Sequence, residues 1–462
     1  MSVTPVPHID DFAGTILVPG DDRYDDARAV FNGAIDRRPA LIAQAGDARD
    51  VAAALRHAQR EDLAVAVRCG GHSGAGFGVI DDGIVVDVRA LKRIEVDLAR
   101  RVVRAGAGLT WGELDAATQA HGLAVTGGRM STTGIAGLTL GSGSGWLERM
   151  HGLTADNLVG ATVVTADGDI VRADAHQHPD LFWALRGGGG NFGVVTEFEL
   201  ALHPVGPMIT GGMLLFEWER AHEVLAAYRD IMEAAPDELG GCASLQLGPP
   251  APFVPAALVG KPVVGIIVAE FTDEQTAEEL IAPLRALRPL VDVVAPMPYV
   301  ALQQITDEGC PHGMQNHWKA AFLDELPDAA IADAVEVAVD IPSPLTVVLL
   351  QPLGGAYGRV DEEATALSHR DAKWAYHALS LWPDPADTAV NRAWTTRFAD
   401  TMAAYGHGGV HPNHVSDPAG ERVRAFYGEA TYERLVAVKD RWDPRNVFAA
   451  NQNIKPSGRG AR

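Results

Sequence analysis

The 462-residue chain sets 38 Lys and Arg against 60 Asp and Glu, a formal charge of −22, and so lacks the basic face that nucleic acid or an anionic membrane requires. Its 47% hydrophobic and 21% charged residues are the balance of a folded protein long enough for two or three domains. No uncharged apolar run reaches the roughly 18 residues of a membrane helix, MSVTPVPHIDDF lacks the basic-then-apolar order of a signal peptide, and three scattered cysteines (Cys69, Cys242, Cys310) point to a reducing cytoplasm.

In chain order, Asp47 to Glu61 spaces its apolar residues at helical intervals behind an acidic start, which predicts a helix. Leu63 to Val67, Gly83 to Val88 and Arg101 to Ala105 predict short strands. Thr110 to His121 predicts a helix capped by Thr110, with Glu113 three residues on. Strands at Leu158 to Val164, Ile170 to Arg172 and Val194 to Leu200 complete an α+β unit ending near Pro204. Past a composition shift at Pro204 to Pro207, strands are expected at Gly211 to Phe216, Val263 to Phe271, Thr346 to Leu350 and Trp374 to Leu381. Helices are expected at Ala221 to Ala235, Thr276 to Leu287, Ala329 to Val339 and Thr388 to Met402. That order suggests a sheet covered by helices on one face.

Glycine is concentrated: 25 of the 49 lie in the 126 residues from Arg68 to Gly193. Glycine costs backbone entropy, so such a cluster marks tight turns or backbone pressed against a ligand. RCGGHSGAGFG (68–78) lies between two predicted strands and can present successive N–H groups to an anion, with His72 at its middle. TGGRMSTTGIAGLTLGSGSG (126–145) and RGGGGNFG (186–193) follow. The last holds G-x-G-x-x-G at Gly188, Gly190 and Gly193, but between a helical DLFWALR and a strand-like VVTEFEL. That reverses the strand–loop–helix order of a Rossmann site. The sequence around Ser73 ends in Ala75 where a nucleophile elbow needs glycine, and no helix follows. His407, His411 and His414 have metal-like spacing, but glycine and proline break the helix they would need. Cys310, His312 and His317 lack a second cysteine pair, so no metal is expected.

Taken together, RCGGHS, TTGIAGLTLGSGSG, RGGGGNFGVVTEFE and the tail YGEATYERLVAVKDRWDPRNVFAANQNIKP resemble a known family. It is that of the FAD-linked oxidoreductases of the vanillyl-alcohol-oxidase superfamily, in its berberine-bridge-enzyme-like branch, and the resemblance spans about 35–205 and 410–456. It implies an α+β fold: a PCMH-type FAD-binding domain of two subdomains (1–206, core 35–205), an antiparallel-sheet-and-helix substrate domain (207–409), and a segment (410–462) returning to the FAD domain. It also implies FAD bonded covalently through His72 and cradled on loop backbone. The cofactor contacts it suggests in the first loop are Arg68, Cys69, Gly70, Gly71, His72, Ser73, Gly74 and Gly76. In the second loop they are Gly128, Thr133, Gly134, Gly137, Gly141 and Gly143. Asp156 and Asn157 either shape the flavin edge or cap their turn. Gly190, Asn191, Gly193, Val194 and Val195 follow, and Asn451 and Asn453 come from the tail.

Two positions depart from the family pattern. Met130 stands where many members carry a cysteine that makes a second tether, a bond a methylated thioether cannot form. His411 stands where the tyrosine of a Tyr-x-Asn pattern often acts as base. An imidazole, with an ordinary pKa of about 6.5, suits proton acceptance. Tyr376 is the rival base, because Trp374, Tyr376 and Ala378 share one face of a predicted strand; Tyr357 is next. The expected activity is hydride transfer from a small organic substrate (alcohol, sugar or secondary metabolite) to FAD, then to dioxygen or another acceptor. The alternatives are a non-catalytic flavin protein, a dehydrogenase with its own acceptor and, remotely, a serine hydrolase.

Overall fold

The computed structural model describes residues 6–406, 409–417 and 423–458. Thr15–Leu17, Leu41–Gln44, Ile84–Asp87 and Val65–Arg68 lie side by side in that order, the last three parallel. Helix Ala48–Arg60 makes the first crossover, and the Asp47 carboxylate caps it by accepting from the Arg49 and Asp50 N–H groups. RCGGHSGAGFG makes the next connection, so His72 leaves the C-terminal end of a buried parallel strand, where α/β sheets hold ligands.

A second, antiparallel sheet runs Ile94–Asp97, Val102–Gly106, Val194–Ala201, Leu158–Val164, Ile170–Asp174. Helix Trp111–Gln119 starts at the expected Thr110–Glu113 capping box. Helix Pro179–Leu185 precedes the 186–193 loop and strand Val194–Ala201 follows it, the order that excludes a Rossmann crossover.

The third sheet has eight antiparallel strands. Its main path is Met208–Glu217, Pro262–Glu270, Leu239–Leu247, Val347–Pro352, Trp374–Trp382, Gln315–Leu323, with Val291–Asp292 and Ala295–Pro298 on the Met208–Glu217 edge. Helices Ala221–Ala234, Glu274–Ala286, Asp328–Ala338 and Thr388–Met402 cover one face. Strand alternation sorts the side chains: Val348, Leu350, Trp374, Tyr376 and Ala378 pack under the helices beside Tyr228, Trp394 and Phe398. Leu349, His377 and Leu379 point the other way. Four of the eight strands were not expected, the two short edge pieces and two of nine residues each. Leu239–Leu247 is diluted by Gly240 and Gly241, and Gln315–Leu323 by Gln315, Asn316, His317 and Lys319.

The tail returns to the first unit. Lys439 on helix Glu429–Trp442 is fully buried; its Nζ pairs with Asp443 Oδ2 at 2.7 Å and donates to Asn191 O at 2.8 Å. Asn451 Nδ2 donates to Gly190 O (3.1 Å), and Asn191 Oδ1 accepts from Ile454 N–H (2.9 Å). Hydrogen bonds to a buried charge contribute about 1.5–3 kcal/mol, so this clasp holds the third glycine loop in shape.

Candidate active site

A cavity of about 830 Å³ separates the three glycine loops from the open face of the large sheet. His72 lines it. Its ring stacks on Phe31, centroids 4.3 Å apart, with Nε2 3.0 Å from Thr132 Oγ1 and Nδ1 3.3 Å from Thr133 Oγ1. Burial, aided by His312, lowers its pKa to about 4, so the imidazole is neutral and nucleophilic rather than protonated.

The glycines divide by what a side chain would strike. At Gly137 and Gly190 an added Cβ would meet nothing within 4 Å, and both line the cavity. At Gly70 it would come 2.3 Å from Gly134 N, so there two loops cross backbone to backbone. The first pair forms an open floor and the second a joint. Asn451, also on the cavity wall, has a buried Oδ1 without a partner among the described residues. An open glycine floor, neighbouring N–H groups and an unused amide acceptor fit a large polar-aromatic cofactor such as FAD.

Of the expected contacts, Cys69, Gly70, Gly71, His72, Ser73, Gly128, Thr133, Gly134, Gly137, Gly141, Gly190, Asn191, Gly193, Val194, Val195 and Asn451 line the cavity. Seven others do not. Arg68 is buried under the loop, its guanidinium on Ala27 O. Gly74 abuts Ser416, Gly76 abuts Ile35, and Gly143 abuts Thr154. Asp156 forms a buried salt bridge with Arg370 at 2.7 Å. Asn157 ties its turn by donating to His151 O and Leu153 O. Asn453 lies off the cavity wall.

The three expected bases also stand elsewhere. Tyr376 faces the helix layer, its ring 5.6 Å from Phe398, because a large aromatic gains more by entering that core. Tyr357 is buried among Leu153, Phe322 and Leu367 and donates to His369 O at 2.8 Å. His411 is buried edge-on to Phe322 at 4.6 Å and is off the cavity lining, its ring 5.8 Å from that of His414. His407 lies outside the described residues, and among those described no three His, Cys, Asp or Glu stand together as metal ligands.

Besides His72, the imidazoles that face the cavity are His377 and His414. The rings meet edge to face, 4.3 Å apart. His414 arrives on the turn Pro412–His414, which Asn413 docks by donating to Gly137 O (2.9 Å) and accepting from Ser142 Oγ (2.8 Å). His377 comes from strand Trp374–Trp382, one residue beyond Tyr376 and so on the opposite face. Its Nε2 is 3.1 Å from Gln351 Oε1. Gln351 Nε2 donates to the Glu148 carboxylate and to Ser144 Oγ. Glu148 accepts from Ser144 Oγ at 2.6 Å and lies 3.6 Å from Arg129. Burial holds His377 well below the ordinary histidine range and His414 at about 3. Burial raises the Glu148 carboxyl, and Arg129 opposes that rise.

Residues 39–174 match the family of FAD binding domains, and residues 399–455 match the berberine and berberine-like family. The (R)-6-hydroxynicotine oxidase of Paenarthrobacter nicotinovorans is 33% identical, over 96% of this chain and 97% of its own length. The chain belongs to the FAD-linked oxidoreductases of the berberine-bridge-enzyme-like branch. The crystal structure of 6-hydroxy-D-nicotine oxidase from Arthrobacter nicotinovorans superposes with a TM-score of 0.85 at 29% identity, covering 99% of this chain and all of the other. Glucooligosaccharide oxidase from Acremonium strictum, whose FAD is 6-S-cysteinyl and 8α-N1-histidyl, shares the fold with a TM-score of 0.84 at 23% identity. That match covers 96% of this chain and 97% of the other. As an FAD-linked oxidoreductase the chain acts on a small organic substrate. Among the described residues no helix is long and apolar enough to cross a membrane.

Proposed function

We propose that this oxidoreductase is an oxidase that carries FAD on His72 and uses His377, with His414 against it, to take the substrate proton. FAD, when bound, supplies the two-electron acceptor for a hydride and passes the electrons to dioxygen. Gly137 and Gly190 leave the cofactor its floor, and Thr132 and Thr133 aim the His72 ring. A single tether is supported by Met130, which lines the cavity and offers no thiol. The division at 206/207 and 409/410 belongs to this reading, as does the cytoplasmic setting, which the three free thiols support.

The observation that carries the proton role is the face on which His377 stands. It is the basic side chain that the large sheet presents to the cavity, and its Nε2 is engaged by Gln351, which leaves the other ring nitrogen to accept. A buried neutral imidazole can accept a proton without first losing one. The test is anaerobic flavin reduction in rapid mixing. His377→Ala is expected to slow reduction by a factor on the order of 10²–10⁴, the usual range for a general base. Reduction at the parent rate would remove His377 from the mechanism.

A further inference from the structure

We infer that the substrate is an uncharged, largely apolar alcohol, neither an amine nor a sugar, an inference that rests on His377 being the proton acceptor proposed above. The sheet wall of the cavity is built from alternate strand positions, and Met213, Ile267, Met297, Trp318, Leu349 and Leu379 supply most of it. Against these, the same wall offers Gln246, Thr346 and His377. A sugar buries many hydroxyls at once, and each one buried without a partner costs about 1–3 kcal/mol. Even with His414, which stands against His377, these four polar side chains cannot satisfy a pyranose ring, whereas they suffice for one hydroxyl on an apolar body.

Charge excludes the other classes. Among the described residues lining the cavity, Arg129 and Glu308 alone carry a formal charge. Glu308 is exposed at the rim. Arg129 is matched to Glu148, 3.6 Å away, and donates to Ser144 Oγ. The Glu148 carboxylate is itself taken up by Arg129, Ser144 and Gln351, so it has nothing left for a ligand. An ammonium group brought to the histidines would lose its water and gain no anion, a penalty of several kcal/mol. A carboxylate would find Arg129 already engaged.

A hydroxyl suits the site, because a neutral imidazole can accept its proton. The step balances as R₂CHOH → R₂C=O: the O–H proton goes to His377, and the carbinol hydrogen leaves with its two electrons for the flavin acceptor named above. Dioxygen then takes the two electrons and two protons as hydrogen peroxide.

The experiment uses the flavin-loaded protein at pH 7 without oxygen, with cinnamyl alcohol, the amine of the same skeleton, and cellobiose. Binding is read from the perturbed visible spectrum, and turnover from its bleaching. The expected result is half-saturation by the alcohol at a concentration at least 10-fold below the amine's, with no response to cellobiose. Leu379→Asp places a carboxylate in the wall and should swing the alcohol-to-amine ratio by 10-fold or more toward the amine. Binding of cellobiose or amine as tight as the alcohol's, or an unchanged ratio in Leu379→Asp, overturns the inference. Alcohol that binds but does not bleach the flavin upholds the substrate class and overturns the oxidation reading instead. His377→Ala is expected to keep the spectral shift and lose the bleaching.

Discussion

Gln351 Oε1 stands 3.1 Å from His377 Nε2, and the other end of the same amide is held by the Glu148 carboxylate. A carboxylate only accepts, so the Gln351 NH₂ must face Glu148 and its carbonyl must face the histidine. That orientation places the ring proton of His377 on Nε2 and frees Nδ1. Ser144 donates to Glu148 and Arg129 pairs with it at 3.6 Å, and both oppose the rise that burial imposes on its carboxyl. Glu148 is therefore a positioning residue: it acts through Gln351 on the tautomer of His377.

Two variants test this chain. Glu148→Gln offers one acceptor where the carboxylate offers two, so Gln351 can turn. It is expected to cut the rate of flavin reduction about 10-fold or more with little change in KM. Gln351→Glu sets a carboxylate against His377 Nε2, which favours the imidazolium and raises the histidine's pKa. In the parent, burial holds that pKa well below 6.5, so its acid limb should lie well under pH 6.5. In Gln351→Glu the limb should move upward. A parent limb at 6.5, or one that does not move, counts against the network.

The tether can be read without any substrate. Protein precipitated in acid should stay yellow and fluoresce in a denaturing gel, and His72→Ala should release its colour to the supernatant. Thr132→Val and Thr133→Val each remove one hydroxyl from the His72 ring, and both are expected to lower the covalently bound fraction. A labelled peptide from anywhere but the His72 loop would refute the assignment.

The cofactor side was legible in the sequence because its determinants are local. The glycine loop with His72 is a weak signal alone, but with the two later glycine loops and the tail it carries the resemblance to the FAD-linked family that the family models match. The substrate side was not. Period-two alternation correctly grouped Trp374, Tyr376 and Ala378, but alternation alone does not say which face is the core. The available signal was composition: the all-apolar, aromatic set gains most from burial, which leaves His377 on the functional face. The tail misled differently. Asn413 does anchor the turn, yet on it His414 reaches the cavity while His411 packs behind it against Phe322, the two rings 5.8 Å apart, and spacing cannot show that. Glu148 and Gln351 are 203 residues apart in sequence, and no local pattern joins them.

Glycine substitutions separate the floor of the cofactor site from its joints. Gly137→Val and Gly190→Val place methyl groups in open cavity, and both are expected to fold with a near-parental melting temperature and to bind little FAD. In Gly141→Val the new Cβ would sit 2.5 Å from the Asn413 side chain, so the His414 turn should be displaced. That variant is expected to keep more FAD than the other two and to lose substrate turnover. The flavin-to-protein absorbance ratio of the three purified variants decides the matter; equal FAD loss in all three would erase the distinction.

Acid should destabilise the fold before it protonates the site. Burial holds His72, His151 and His317 at about 4 and His414 at about 3, against about 6.5 in an unfolded chain. Between these values the unfolded chain binds protons that the native one refuses. Stability is therefore fullest above about pH 7 and falls as the pH drops through 6.5, by up to about 1.4 kcal/mol per pH unit for each such group. Asp115 runs the other way. Burial raises its carboxyl to about 7, with the Gln303 amide pulling it down, so the native chain holds a proton there that the unfolded one gives up above about pH 4. Glu148 and Glu270 are raised in the same sense as Asp115, but with His377 and His411 also held low the histidines outnumber the carboxyls, and the urea midpoint should be lower at pH 5.5 than at pH 7.5. His151→Phe keeps the ring stacked on His203, which lies 3.8 Å away, but cannot titrate, and should flatten the slope. Asp115→Asn removes one opposing group and should steepen it. A midpoint that holds or rises on acidification would show that these histidines reach water and protonate in the native fold.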